Sequence, residues 1–486
     1  MGINNFNKWI KQNYAQCFKN IKNNCKYDNM CIDLNHILHA CTYGSNNYKE
    51  YKSKLFNTLD TLLSNFIITK NIIIAIDGPA PYSKLILQRK RRLASIKNVD
   101  MGNLSSIHLT PGTKFMRYID NIMDEYIRIT KNKFKFNKVN IQIFNSSYPD
   151  EGELKLFKYI SKNSHNKNQS YIIVGNDADL IVMIVANLSL YNTSILIKEG
   201  HIHKLLNVCD MIESFYSKNI SKNNIHIKLN NTRHDFSCLS LMMGNDYLPK
   251  LQIVKFDTLF DSYNRVIRAN NIGLIKDGKF NRQFLMKFIA DIIHNLPKQY
   301  KRFDFSRYNP YTVKSYLCGI LWCLNMYITG ICSKYDYMFN GDFKPTPCDI
   351  QHYIITTKCS KFNNDVDIPI SNTKPISSKY YGIYVLPKRG LSILPKNIRT
   401  IAIKELKELH DVEECEDCKL YSENIGIKNK LIQKAKKGDD TRYINSISDT
   451  IRKLIDEYTD HKRTIHNNRE FCVDDIKKLS KVKCLS

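Results

Sequence analysis

Seven acidic residues stand at positions where a carboxylate does chemistry rather than solvation: Asp33, Asp77, Glu151, Glu153, Asp177, Asp179 and Asp246. The densest pair lies in Val174-Gly175-Asn176-Asp177-Ala178-Asp179-Leu180, directly after the apolar run Tyr171-Ile172-Ile173. An apolar run bounded by Gly and Asn reads as a buried strand, and the two aspartates then emerge at its carboxyl end, where open α/β sheets bind ligands. Adjacent buried carboxylates repel and are costly without a neutralising cation. Any one such Asp is more often a helix cap or turn residue than a ligand; seven converging on one edge of a sheet would exceed what capping explains. An oxygen-only set favours Mg²⁺ or Mn²⁺ over zinc, and two such ions would clamp an in-line phosphoryl displacement.

A second constellation is basic. Lys84, Gln88, Arg91 and Arg92 fall at i, i+4, i+7 and i+8 and share one helix face. Cationic and amide donors so clustered suit a terminal phosphate, with Arg offering forked hydrogen bonds. The competing readings are a solvated basic face and, for Arg89-Lys90-Arg91-Arg92, a nuclear-localisation run.

These residues need elements to position them. Met30–Asp33 and Asn71–Asp77 are apolar runs ending on acids; Val139–Phe144 alternates and leads through Pro149 into a helical segment from Glu151; Tyr171–Val174 and Ser194–Ile197 follow. Strands alternating with helices predict an α/β fold with a mostly parallel sheet flanked by helices. Residues 1–254 are read as the domain with the acidic site. A mainly α-helical region over 255–400 completes the pocket, and 401–486 forms a charged helical extension. Asn363–Lys379 reads as a loop.

The chain has 486 residues and a net charge of +27, an excess that calls for an anionic partner, RNA or DNA first. Its fifteen cysteines are scattered, odd in number and follow no signal-peptide pattern, so they read as reduced thiols in an intracellular compartment. Ser315–Cys332 approaches membrane-spanning length, but Asn325, two glycines and interior thiols make it a buried helix or helix pair in a protein without a membrane partner. Cys415-x-x-Cys418, with His410 nearby, has the look of half a zinc site, but a second regularly spaced Cys or His pair is missing, so ordinary thiols in a charged helix pair are the stronger reading.

In order along the chain, Met1-Gly2-Ile3 with Phe6–Ile10, Asp33–His39, Asp77-Gly78-Pro79-Ala80-Pro81, Thr110–Met116, Pro149–Glu153, Asp177-Ala178-Asp179-Leu180 and Gly244–Pro249 resemble the blocks of the Xrn family of 5′→3′ exoribonucleases. A weaker echo, Val385-Leu386-Pro387 followed by Leu394-Pro395, extends the resemblance to about residue 400. It implies a PIN/flap-endonuclease-like fold and places the metal ligands on all seven acids. Asp33, Asp77 and Glu151 would lie nearer one ion, Asp177, Asp179 and Asp246 nearer the other, with Glu153 between. It also implies a 5′-monophosphate pocket at Lys84, Gln88, Arg91 and Arg92, and a base-stacking role for His39, which spacing alone reads as a core or capping residue. The implied partner is single-stranded RNA with a 5′-monophosphate, processively degraded to nucleoside 5′-monophosphates, with a decapping or other RNA-decay protein as helper. A monomer, cytoplasmic rather than nuclear, is expected. The short core with its Lys, Asn and Ile bias fits a large DNA virus or an AT-rich protist.

The chain departs from the family pattern at three places. Asp150 stands where Gly is usual, Leu154 where a His follows the second Glu, and Tyr335 or Tyr337 where a Trp stacks on the first base. Two other functions compete. A flap-type nuclease would show a Gly-Ile-Gly helix-hairpin after its last Asp, where this chain has Tyr247-Leu248-Pro249; a non-catalytic RNA-binding scaffold would not need seven intact acids.

Overall fold

The computed structural model describes residues 2–21, 24–96, 104–163, 168–199, 202–219, 229–270, 272–435, 441–466 and 473–480; Met1 of the amino-terminal motif lies outside them. One seven-stranded sheet is built from β1 (Phe18–Asn20), β2 (Cys25–Asp33), β3 (Phe66–Ala75), β4 (Asn140–Phe144), β5 (Ser170–Val174), β6 (Asn192–Glu199) and β7 (Ile202–Asn207), in the order β1-β7-β6-β5-β2-β3-β4. β4, β3, β2, β5 and β6 run parallel; β7 and β1 pair antiparallel at one edge. The expected mostly parallel sheet is present. The antiparallel edge was not foreseen, because β1 is only three residues long and β7 mixes polar with apolar residues.

The central strands alternate their side chains between two cores. Cys31, Ile73 and Ile173 face one; Met30, Ile32, Ile72, Ile74, Ile172 and Val174 face the other. Both cores are filled by helices, so the strands read as continuous apolar runs. The strand order reverses at β2, which has β3 on one side and β5 on the other. Asp33 pairs with Ala75, and Ile32 with Val174. Asp33, Asp77 and Asp177 therefore leave the sheet at the same carboxyl edge, at the switch point where ligand crevices form.

The helices that matter to this edge are α1 (Asn35–Thr42), α2 (Tyr82–Ile96), α3 (Lys114–Lys131), α4 (Gly152–Asn163), α5 (Ala178–Ala186), α6 (Leu229–Met242), α7 (Pro310–Thr329) and α8 (Ser378–Val385). The apolar stretch around Ser315–Cys332 is the single buried helix α7, with Trp322 at its centre. Among the described residues no helix is long and apolar enough to cross a membrane. The region after 255 is mainly helical, as expected, with a small hairpin of Ile275–Lys276 and Lys279–Phe280. A third core joins Tyr82, Leu85 and Ile96 of α2 to Tyr381–Leu386, Leu391 and Leu394, so α2 is held from the carboxy-terminal side.

One buried cation fixes α5, whose amino end carries the Asp pair. Arg233 on α6 donates from Nε to the Val185 carbonyl (2.8 Å), and from Nη2 to the carbonyls of Ile184 (2.9 Å), Asn187 (2.7 Å) and Leu190 (3.0 Å). Those of Ile184, Val185 and Asn187 are end carbonyls of α5, where the helix dipole also favours a cation, and that of Leu190 belongs to the following loop. Arg233→Met should cost about 3 kcal/mol, because buried acceptors lose a charged donor. The urea midpoint at unchanged slope is the measurement, and a midpoint equal to wild type would show that Arg233 does not hold α5.

Candidate active site

The seven acids come from five short segments. Asp33 ends β2, Asp77 follows β3, Glu151 precedes α4 and Glu153 lies in its first turn; Asp177 caps α5, Asp179 lies in its first turn, and Asp246 sits in the turn after α6. Six of them line a cavity of about 380 Å³ together with His39, Lys84, Gln88, Arg91 and Arg92. Asp179 lies behind that surface, 4 % exposed. The acidic and basic constellations thus share one cleft.

Asn35 organises one side. Its Nδ2 donates to Asp33 Oδ1 (2.6 Å) and Asp77 Oδ1 (2.7 Å), its Oδ1 accepts from the Asp77 backbone N–H (3.0 Å), and the Gly152 N–H donates to Asp77 Oδ1 (2.7 Å). Lys155, one turn beyond Glu151, ties down the end of β3 by donating to the carbonyls of Ile76 (2.6 Å) and Asn145 (2.9 Å). On the other side, Gly2 has φ +78°, and a Cβ there would lie 2.5 Å from Asp177 Oδ1 and 3.0 Å from Asp179 Oδ1. The amino-terminal segment therefore packs directly against the Asp pair, at a position only glycine accommodates.

The electrostatics show what the cluster lacks. Burial first, then the charges of Asp77 and Asp177, pushes the Asp33 carboxyl up to about 7. Burial with Asp177 and Asp246 pushes Asp179 up to about 8. Glu153 is raised well above the usual range by burial and by Glu151, Asp33 and Asp177, acids from both sides of the cleft. Asp246 is the exception: despite burial, Lys84 and Arg91 hold it down at about 2. Lys84 Nζ contacts Glu151 and lies 3.1 Å from Asp246, and Arg91 forks onto both Asp246 oxygens (2.8 and 3.4 Å). Burial would depress Lys84, but those carboxylates keep its ammonium well above its ordinary value.

A divalent cation fits this chemistry. The donors are all oxygen, burial and then neighbouring acids raise the pKa of Asp33, Glu153 and Asp179, and Asp179 Oδ1 is buried without a hydrogen-bond partner. The carboxylates of Asp33, Asp77, Glu151, Glu153, Asp177, Asp179 and Asp246 would hold it.

The basic helix is α2, and its predicted face is the one lining the cavity. Lys90 is exposed, whereas Arg89, which is not on that face, is buried with Nη1 directed to the carbonyls of Ile383 (3.4 Å) and Tyr384 (3.2 Å) of α8. Arg92 donates to the carbonyls of Ser106 (2.8 Å) and Leu109 (3.2 Å), and Gln88 accepts from the Tyr381 hydroxyl (2.9 Å). The run Arg89–Arg92 is thus built into the cleft wall, apart from Lys90. His39 faces the cavity, and burial together with Arg92 lowers its pKa, so the ring is neutral at pH 7. His36 does not join it in a metal pair; its Nδ1 lies 3.0 Å from the Asp33 carbonyl oxygen.

The departures resolve as follows. Asp150 has φ +80°, a left-handed geometry that explains why glycine suits the position and that Asp tolerates. It does not face solvent: it is 2 % exposed and accepts from the Tyr335 hydroxyl at 2.6 Å. Tyr337 is stacked on Trp322 at 4.6 Å inside the core and is not available to a base; Tyr335 remains half-buried beside the site. Leu154 is an ordinary core residue. Asn35, Tyr247, Lys155 and Tyr381 were missed. Tyr247, whose hydroxyl contacts Glu151, and Asn35 lay beside acids already singled out; nothing local marked Tyr381.

Residues 1–199 match the family model described as XRN 5′-3′ exonuclease N-terminus. "5′-3′ exoribonuclease 1" of Schizosaccharomyces pombe is 23% identical over 373 residues, covering 63% of this chain and 28% of that protein. The human protein of the same name is 25% identical over 298 residues, covering 52% of this chain and 17% of its own length. A protein of Acanthamoeba polyphaga mimivirus is 27% identical over 50% of this chain and 42% of its own length. This chain thus spans less than a third of the two cellular relatives. Among solved structures, "The catalytic core of Rad2 in complex with DNA substrate" covers 75% of this chain and 98% of its own, with 11% identity and a TM-score of 0.35.

The raised carboxyls give a signed prediction. Asp33 and Asp179 keep protons in the folded chain that they release near 3.8 when unfolded. The folded state therefore binds more protons than the unfolded one, and stability is lost as pH rises toward 8. Cation binding requires those protons to leave. Mn²⁺ should accordingly raise Tm more at pH 8 than at pH 6, and equal gains at both would contradict a cation held by these carboxyls.

Proposed function

We propose that this chain, which belongs to the Xrn 5′-3′ exonuclease family, is a metal-dependent 5′→3′ exoribonuclease. It would act processively on single-stranded RNA bearing a 5′-monophosphate and release nucleoside 5′-monophosphates. The observation that carries this reading is the single cleft in which a cationic face of α2 adjoins six acids at the sheet edge, with Asp179 directly behind them. A pocket and a hydrolytic centre that share walls set the distance from a chain end to the bond that is cut.

The chain's own residues divide the work. Lys84, Arg91 and Arg92 supply cationic donors for a terminal phosphate, and Gln88, oriented by Tyr381, turns its amide toward it. Arg92 is anchored on the carbonyls of Ser106 and Leu109, and a pocket matched to one phosphate would reject two further phosphates or a cap. His39, neutral at pH 7, offers a π-face for the first base, a contact tolerant of sequence. Two divalent ions, once bound by the acids, supply charge neutralisation and polarise the scissile phosphate. Asn35 and Lys155 keep Asp33, Asp77 and the end of β3 in place, while Tyr247 orients Glu151. Water attacks the phosphorus of the first phosphodiester, the P–O3′ bond breaks, the 3′ oxygen leaves with the released nucleoside 5′-monophosphate, and the new 5′-phosphate on the remaining chain enters the pocket.

The net charge of +27 favours retention of the strand between cuts. A cytoplasmic role with an RNA-decay partner protein accords with this substrate. Against a flap-type nuclease, Asp246 is followed by a turn whose Tyr247 packs on Trp322 at 5.3 Å, not by a duplex-binding hairpin.

RNAs of one sequence with a 5′-monophosphate, 5′-triphosphate or 5′-hydroxyl should be degraded at clearly different rates, the monophosphate fastest, with mononucleotides as the first products. Equal rates would remove the pocket from the mechanism; internal fragments as first products would favour the structure-specific nuclease. Arg91→Met should narrow the monophosphate preference by about tenfold to a hundredfold, the worth of one charged hydrogen bond, read from kcat/KM ratios across the three RNAs.

A further inference from the structure

The carboxy-terminal helices gather a second donor set, chemically unlike the first. Cys415 lies at the junction between the helix Lys407–Glu414 and α9 (Glu416–Ala435), Cys418 lies in the first turn of α9, and His461 lies near the end of α10 (Thr441–His466). α9 and α10 pack along one another so that the end of α10 returns to the start of α9. The ring of Tyr421 stacks on Tyr458 at 5.8 Å and lies 5.9 Å from His461. Cys415 Sγ is 3.4 Å from His461 Nε2, and the two sulfurs and the ring nitrogen all lie within 4.8 Å of one another. Among the described residues no other three His, Cys or acidic side chains come so close.

We infer that Cys415, Cys418 and His461 bind one Zn²⁺ ion. A thiol–imidazole hydrogen bond involves only Cys415 and His461, whereas the geometry brings three donors together. Tetrahedral zinc with ordinary bond lengths places sulfur and nitrogen about 3.6 Å apart and two sulfurs about 3.8 Å apart, which is the scale of this cluster. Two thiolates and an imidazole form a soft set that excludes Mg²⁺ and suits zinc, so the site is distinct from the acidic cleft. Cys418 is buried, whereas Cys415 and His461 are half-buried, so the fourth position faces solvent and takes water. Binding releases the two thiol protons and involves no redox change.

The sequence pattern alone pointed elsewhere. The Cys-x-x-Cys pair suggested His410 as a companion, but the third donor lies 46 residues beyond Cys415, on another helix. The ion would close that segment into a loop and pin α10 against α9. The adjoining core, with Leu406, Leu409, Ile476 and Leu479, packs in the same cluster as Leu85 and Ile96 of α2. Zinc at this position therefore braces the framework behind the phosphate-facing helix without touching the substrate.

The test is the metal content of the purified full-length chain, followed by reconstitution with Co²⁺. One equivalent of zinc, replaced by cobalt showing tetrahedral d–d bands and sulfur-to-cobalt charge transfer, is expected. Cys418→Ser should lose the ion. Cys415→His, which keeps a donor, should retain it with a weaker charge-transfer band. The wild-type cobalt spectrum decides the matter even where a variant fails to fold. Less than a tenth of an equivalent with both thiols freely titratable, or a Cys415–Cys418 disulfide in the intact mass, would overturn the inference.

Discussion

Mutual repulsion among buried carboxylates is the constraint on which the site depends. A sheet edge that gathers Asp33, Glu153 and Asp179 pays for it in protonation, since each carboxyl is pushed up by burial and by its acidic neighbours. Two kinds of positive charge relieve the strain. Lys84 and Arg91 already pair with Glu151 and Asp246, and a divalent cation suits what is left. The same two basic side chains belong to the pocket proposed for the 5′-phosphate. Metal and substrate therefore draw on shared charges, and the filling of one part of the cleft alters the other.

Holding such a cluster requires rigidity from outside the sheet. The switch point at β2 sets Asp33, Asp77 and Asp177 on one edge, and Arg233 fixes α5 behind the Asp pair. The basic helix α2 is held from a distant part of the chain: α8 receives Arg89, and the Tyr381 hydroxyl donates to Gln88. Gly112, with φ +87°, sits so close to the carbonyls of Ser378 and Lys379 that a side chain there would collide with them. Residues near position 380 are thus as much part of the pocket as those near position 90.

Most of the site was legible in the sequence because its signals were local. Strand ends carrying acids, and basic residues at helical spacing, are patterns of period and type. They picked out the seven acids and the basic face of α2; six of those acids and all four basic-face residues line one cleft, with Asp179 behind it. The order of the strands, the antiparallel edge and the partners Tyr381 and His461 were not legible, because those contacts join residues distant in sequence: Gln88 with Tyr381, Cys415 with His461. Asp150 and Tyr337 needed the backbone: a positive φ and a Trp322 neighbour, neither visible in composition, decided their roles.

The central claim, that the acid cluster and not the basic cleft alone performs the cleavage, is tested most directly in the Asp177→Ala/Asp179→Ala chain. Cleavage of 5′-monophosphorylated RNA in Mg²⁺ and binding of the same RNA are measured side by side against wild type. The account predicts cleavage at background with binding retained, because the pocket on α2 is left intact. Cleavage at the wild-type rate would contradict it.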